Sequence, residues 1–186
     1  MARTLPAGFL RSSELHPERP AVEVDGSTLT YSGLRKRAMS FAATVRSRTP
    51  TGEPPLTGVF AYRSTTAYAG VLGSLLAGHG YVPLNPTFPT DRTRTMLMRA
   101  GCKSIIVDSR SEPQLEEVLQ GIDYELLIIL PEQADVSRLA KRYPAHRFCG
   151  AKDLEPPEAW KGCRVSNDSI AYLLFTSGST GIPKGV

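Results

Sequence analysis

Near the end of the chain, Thr176–Gly185 reads TSGSTGIPKG. Holding a polyphosphate requires hydrogen-bond donors brought close to oxygen without bulk. Glycine lets the backbone approach an anion, and successive N–H groups form a concave nest for it. Gly178, Gly181 and Gly185 supply that freedom. Thr176, Ser177, Ser179 and Thr180 add hydroxyls along a short arc, and Lys184 adds one mobile positive charge. Pro183 stiffens the turn before the lysine. The chemistry predicted from these residue types is phosphate binding. Gly/Ser richness alone would suit a linker equally well. The apolar run that leads directly into the loop, and the lysine within it, favour binding.

A Walker-type loop needs G-x-x-x-x-G-K-[ST]. Counted from Gly178, the second glycine position is Pro183, and Gly185 stands where the magnesium-binding hydroxyl belongs. That reading fails at both positions.

The loop needs a scaffold, and the pattern upstream predicts one. AVEVDGSTLTY reads as two short strands about an Asp25-Gly26 turn. A helix follows, with Leu34, Ala38, Phe41, Ala42 and Val45 on one face and Ser32 as its N-cap. LTGVFAYR reads as a buried strand. From Ser64 a second helix is expected to bury Ala67, Val71, Leu72, Leu75 and Leu76 and to close near Gly78 and Gly80. YVPL is a short strand whose Pro83 marks a sheet edge or a strand end. Thr90 would cap a third helix carrying Met96, Leu97 and Ala100, ended by Gly101. KSIIVD and ELLIIL read as strands, EPQLEEVLQG and DVSRLAKRYP as helices, HRFCG as a short strand, and IAYLLF as a strand feeding the loop. Such alternation predicts an α/β fold with a largely parallel sheet flanked by helices. Ligands of such sheets bind beyond the carboxyl ends of strands, where the final loop is expected to lie.

With 186 residues, 41% hydrophobic and 22% charged, the chain can bury a core. The net charge is +4, and the arginines Arg35, Arg37, Arg46, Arg48, Arg92 and Arg94 sit among apolar helical positions. Solvated helix faces are predicted there, with no nucleic-acid partner. Cys102, Cys149 and Cys163 form no C-x-x-C pair, and His16, His79 and His146 lie far apart. No disulfide framework or metal site is expected within the chain. The N-terminal stretch has no apolar run of signal or membrane length. No membrane partner and a cytoplasmic location are expected.

TSGSTGIPKG resembles the phosphate-binding signature of the adenylate-forming superfamily. SLLAGHGYVPLNPTFPTDRTRTML, from Ser74 to Leu97, resembles the AGxAYVPLDPxYPxxR segment typical of amino-acid-activating members. LTYSGL, Leu29 to Leu34, resembles their LTYxEL segment. The three occur in family order and span most of the chain. They point to nonribosomal peptide synthetase-type adenylation domains. Asn85 departs from the usual Asp, and Gly33 from a common acid.

The resemblance implies a reaction in which a carboxylate attacks the α-phosphate of ATP with Mg2+. The acyl-adenylate then passes its acyl group to a carrier-protein or CoA thiol. Thr176, Ser177, Gly178, Ser179, Thr180, Gly181 and Lys184 would hold the ATP phosphates. The substrate pocket, the magnesium ligand and the mobile C-terminal lobe of the family lie downstream of this loop. Residues 1–186 are therefore expected to be the N-terminal portion of an adenylation (AMP-binding) domain, part of its large lobe and truncated after the phosphate-binding loop. By itself the chain would be inactive, with no catalytic residue of its own. Its partner would be the remainder of the domain, in one polypeptide or as a separate chain. The competing expectation is a non-catalytic nucleotide-binding or pairing module that needs a complementary chain. The sequence leaves open whether the end at Val186 is a truncation, a cleavage or a natural split.

Overall fold

The computed structural model describes residues 4–177 and 183–186. After α1 (Ala7–Leu15), a hairpin forms from β1 (Pro20–Val24) and β2 (Ser27–Thr30). Its turn residues Asp25 and Gly26 have φ of 51° and 74°, the left-handed pair that a two-residue hairpin turn requires. Helix α2 (Tyr31–Arg48) starts at once. Its N-cap is Thr30, whose Oγ1 accepts from Gly33 N at 3.1 Å. The expected cap, Ser32, lies inside the first turn, because β2 ends at Thr30 and the helix begins at Tyr31, two residues before the start a Ser32 cap would set.

Five strands then form one parallel sheet: β3 (Leu56–Phe60), β4 (Gly80–Leu84), β5 (Ser104–Val107), β6 (Leu127–Ile129) and β7 (Arg147–Cys149), in the order β4-β3-β5-β6-β7. The connections are α3 (Thr65–Ala77), α4 (Thr90–Ala100), α5 (Glu112–Leu119) and α6 (Ser137–Arg142). Helices α4, α5 and α6 cover one face and α2 and α3 the other. The strands show the expected period of two. Ile105, Val107 and Ile128 join the core under α4 and α5, whereas Ile106, Leu127 and Ile129 join the one under α2 and α3. The chain steps from β3 to β4 in one direction and from β4 back to β5 in the other, with α3 and α4 on opposite faces. Right-handed crossovers demand that arrangement.

Helix α4 begins at Thr90, but its N-cap is Pro89 and no side chain caps it. Gly78 and Gly101 end α3 and α4 with left-handed φ of 84° and 67°, as a C-terminal glycine should.

Two further expectations need correction. The buried stripe of α3 is Thr66, Ala69, Gly70, Gly73, Ser74 and Ala77, with Leu76 beside it; Ala67, Val71, Leu72 and Leu75 are only partly buried. The close approach of α2 explains this. A Cβ on Gly73 would stand 2.8 Å from Phe41 Cβ and 3.1 Å from the Ala38 carbonyl, so only small residues fit the seam.

The second correction concerns IAYLLF. Only one parallel bridge, Tyr81↔Tyr172, joins it to β4. Tyr81 N donates to Ala171 O at 3.1 Å and Leu173 N to Tyr81 O at 3.0 Å. The next donor on that edge would be the N–H of residue 83, which is proline. The ladder stops there, and the chain leaves the sheet.

Candidate functional site

From β7 the chain crosses two 3-10 turns, Ala151–Asp153 and Pro157–Ala159, which are pinned to α2 and α3. Arg48 Nη2 meets Glu155 Oε1 at 3.0 Å, Glu155 N donates to Thr44 Oγ1 at 2.9 Å, and Trp160 Nε1 donates to Leu76 O at 2.8 Å. Past the Tyr81 bridge the chain forms a separate antiparallel hairpin, β8 (Phe175–Ser177) with β9 (Pro183–Gly185). The phosphate-loop sequence is thus carried by an antiparallel hairpin, not by a strand of the parallel sheet as expected.

The hairpin has two unlike faces. Leu173 and Phe175 pack on the core under α4, and Pro183 is buried. Leu174, Thr176, Lys184 and Val186 are exposed. Thr176 and Lys184 are directly opposed, and Thr176 Oγ1 donates to Lys184 O at 3.5 Å. Directly opposed residues place their Cβ atoms about 4.5–5.5 Å apart, so one hydroxyl and one ammonium group share the solvent face. Ser177 pairs with Pro183. Gly178, Ser179, Thr180 and Gly181 lie outside the described residues. Chemically, the described part offers one cation and one hydroxyl at the base of a short connection, a donor set suited to phosphate oxygens.

The strand order reverses between β3 and β5, where an open α/β sheet usually has its ligand crevice. Here that point is filled. Asp108, 1% exposed, accepts from Tyr62 N at 3.1 Å, Ser64 Oγ at 2.7 Å and Ser111 N at 2.9 Å. Ser64 Oγ also accepts from Ala67 N at 3.1 Å and so caps α3. Asp108 therefore ties two loops together and has no free lone pair aimed at solvent. Sequence reasoning passed over it, although an acid directly after an apolar strand was the available signal.

Other polar residues pack rather than react. His79 Nδ1 is 3.0 Å from Thr57 Oγ1, which is 2.8 Å from Ser104 Oγ. Burial, aided by the nearby Arg46 charge, lowers the His79 pKa to about 4. His79, Arg46 and Lys103 line a cavity of about 620 Å³ at the amino ends of β3 and β5, away from the hairpin. Burial pushes the Cys102 thiol up to about 12 and also raises that of Cys149, despite Arg48 Nη1 at 3.6 Å. Neither is a nucleophile at neutral pH. Among the described residues, no group of three or more His, Cys, Asp or Glu side chains could hold a metal ion, and no helix is long and apolar enough to cross a membrane. The Asn85 departure is conservative: its Oδ1 accepts from Thr87 N at 2.9 Å, a turn bond that an aspartate would also make.

Comparison with known proteins agrees with this architecture. Tyrocidine synthase 3 of Brevibacillus parabrevis is 32% identical over 184 residues, covering 99% of this chain and 2% of that protein. The solved structure of IdnL7 is 32% identical with a TM-score of 0.80, covering 100% of this chain and 34% of the other. The adenylation domain AlmE of Vibrio cholerae, solved with glycyl-adenosine-5'-phosphate, is 26% identical with a TM-score of 0.77, covering 96% of this chain and 34% of the other. This chain thus spans about a third of the solved relatives and a small part of the synthase. The model of the AMP-binding enzyme family matches residues 9–186, nearly the whole chain, and on that match the chain belongs to the AMP-binding enzyme family.

Proposed function

We propose that this chain is the N-terminal portion of an adenylation domain and that its terminal hairpin holds the phosphates of ATP. In this reading a carboxylate oxygen attacks the α-phosphorus of MgATP. The bond to the bridging oxygen breaks, pyrophosphate leaves and an acyl-adenylate forms. A thiolate of a carrier protein or CoA then attacks the acyl carbon, and AMP departs. The hairpin forms no covalent bond and moves no proton. Lys184, Thr176, Ser177 and the backbone and hydroxyls of Gly178, Ser179, Thr180 and Gly181 hold the β- and γ-phosphates and stabilise the departing charge. The observation that carries this reading is the pairing of Thr176 with Lys184 on the solvent face of a hairpin whose connecting residues are Gly178, Ser179, Thr180, Gly181 and Ile182, four of the five small or hydroxyl-bearing.

The magnesium ion would arrive with ATP and be held by an acid from elsewhere in the enzyme, since the hairpin offers only neutral and positive groups. Further segments of the enzyme, in the same polypeptide or as a second chain, would cover the apolar row Ile170, Tyr172, Leu174 and Val186. Ile170, Tyr172 and Leu174 are 46%, 49% and 43% exposed and lie on one side of one segment, the kind of contiguous apolar surface that marks an interaction site. A non-catalytic pairing module would bury the same row, and activity separates the two readings. The test is ATP–pyrophosphate exchange over a panel of amino and aryl acids, with the complete gene product and with residues 1–186 alone. Exchange by the complete protein with one acid class, and none by 1–186, is expected. No exchange by the complete protein with any acid would favour the pairing module. Robust exchange by 1–186 alone would contradict the need for further segments.

A further inference from the structure

We infer that Arg99 is a positioning residue that sets the arm carrying Lys184, an inference resting on the phosphate-binding reading above. The hairpin β8–β9 is a sheet of its own, separate from the five-stranded sheet, and a two-stranded hairpin has little stability of its own in water. Its two arms are tethered differently. The incoming arm continues from the Tyr81–Tyr172 bridge and its two main-chain bonds. The outgoing arm, β9, has no such bridge to the body among the described residues. It is held by its ladder with β8, by the packing of buried Pro183 beside α4, and, among the described residues, by one side-chain hydrogen bond, from Arg99 of α4.

The register explains why that side chain can act. Leu174 and Val186 exchange both main-chain bonds, at 3.1 and 2.8 Å. Antiparallel pairs alternate, so Thr176 and Lys184 also face each other with their main-chain groups. Phe175, Gly185, Ser177 and Pro183 turn theirs outward. The missing N–H of Pro183 therefore falls on the side where no ladder bond is due. Its carbonyl points away from β8, and Arg99 Nη1 donates to it at 3.3 Å. That carbonyl belongs to the peptide joining Pro183 to Lys184. Fixing it fixes the plane from which the Lys184 backbone starts. The donor stands on a firm base: Met96, Leu97 and Ala100 of α4 are buried, and Gly101 closes the helix. Arg99 itself touches no phosphate. It works by holding the lysine arm in register before the ligand arrives, which reduces the ordering that binding must otherwise impose.

The experiment uses the complete protein with R99M, which keeps the apolar stem and removes the donors, and R99K, which keeps one. Lys184→Ala serves as the reference. Exchange kinetics give KM for ATP and for the carboxylate, and amide hydrogen exchange reports on residues 184 and 186. R99M is expected to raise KM for ATP about fivefold, the scale of one typical net hydrogen bond, here a long one. The carboxylate KM should stay unchanged, both amides should exchange faster, and R99K should recover most of both effects. Normal ATP kinetics in R99M beside impaired ATP kinetics in Lys184→Ala would overturn the role of Arg99 alone. Normal ATP kinetics in Lys184→Ala would overturn the phosphate reading and this inference with it. Equal loss in both KM values together with a lowered Tm would mark Arg99 as merely structural, and likewise overturn the inference.

Discussion

His79 should make the stability of this fold depend on pH, and the sign follows from its surroundings. Its Nδ1 lies 3.0 Å from Thr57 Oγ1, which contacts Ser104 Oγ at 2.8 Å. Thr57 and Ser104 are fully buried and His79 is largely buried beside them, so little water can reorganise around a charge on the ring. Burial first, and the Arg46 charge second, lower the pKa from 6.5 to about 4. Between those values the unfolded chain binds the proton and the folded chain does not. Stability is therefore fully present above pH 6.5 and is lost as pH falls toward 4, with no further loss from this group below that. At about 1.4 kcal/mol per pH unit, the whole interval corresponds to roughly 3 kcal/mol. The His79→Gln variant keeps a hydrogen-bonding atom near Thr57 but cannot titrate. Urea unfolding of both proteins, from pH 4 to 7.5, should show curves that converge as pH falls. Burial lowers the His146 pKa too, but it is common to both proteins and cancels in the difference. Parallel curves, or an NMR titration of His79 centred near 6.5, would refute the reasoning.

Lys184→Ala should raise the ATP and pyrophosphate requirement of exchange by a factor equivalent to roughly 1.5–3 kcal/mol, the scale of one charge-assisted contact; unchanged ATP kinetics would remove the lysine from the site. Gly73→Ala gains about 1 kcal/mol of helix propensity but forces a Cβ to within 2.8 Å of Phe41 Cβ. Overpacking costs about 1–3 kcal/mol, so a net loss near 1 kcal/mol is expected in urea unfolding, and a gain would show that the α2–α3 seam is looser than described. Gly33→Glu should stabilise by about 1 kcal/mol, because the first turn of α2 holds no acidic residue and position 33 is where a capping box places one. A drop in Tm for that variant would contradict the assignment of Thr30 as the cap.

Much of the fold was legible because simple periodicities were obeyed. Leu34, Ala38, Phe41, Ala42 and Val45 are all buried on α2, and Met96, Leu97 and Ala100 on α4. Asp25-Gly26 makes the turn its residue types demand. Helix α3 was misread because hydropathy weights large side chains, whereas the seam with α2 selects small ones. The contacts that decide this are tertiary, and Gly73 carries no sign of Phe41 in its own neighbourhood. IAYLLF has the composition of a core strand, yet its pairing partner β4 carries Pro83 at the next donor position, and an edge blocked by another strand cannot be seen in the strand itself. Within the candidate site, residue type alone nominates Thr176 and Lys184. The hairpin register that opposes them was not. Arg99 was invisible for the same reason, since its bond spans 84 positions in sequence and depends on which way the Pro183 carbonyl turns.

Activation of a carboxylate as its adenylate is tested most directly by following oxygen. The complete protein is supplied with ATP, the acid that supports exchange with its carboxylate labelled with oxygen-18, and a thiol acceptor. Attack on the α-phosphorus leaves one carboxylate oxygen on AMP when the thiol takes the acyl group. AMP carrying a single oxygen-18, with unlabelled pyrophosphate, is the predicted result. Label in inorganic phosphate with ADP as the nucleotide product would mean attack at the γ-phosphorus and would contradict adenylate formation.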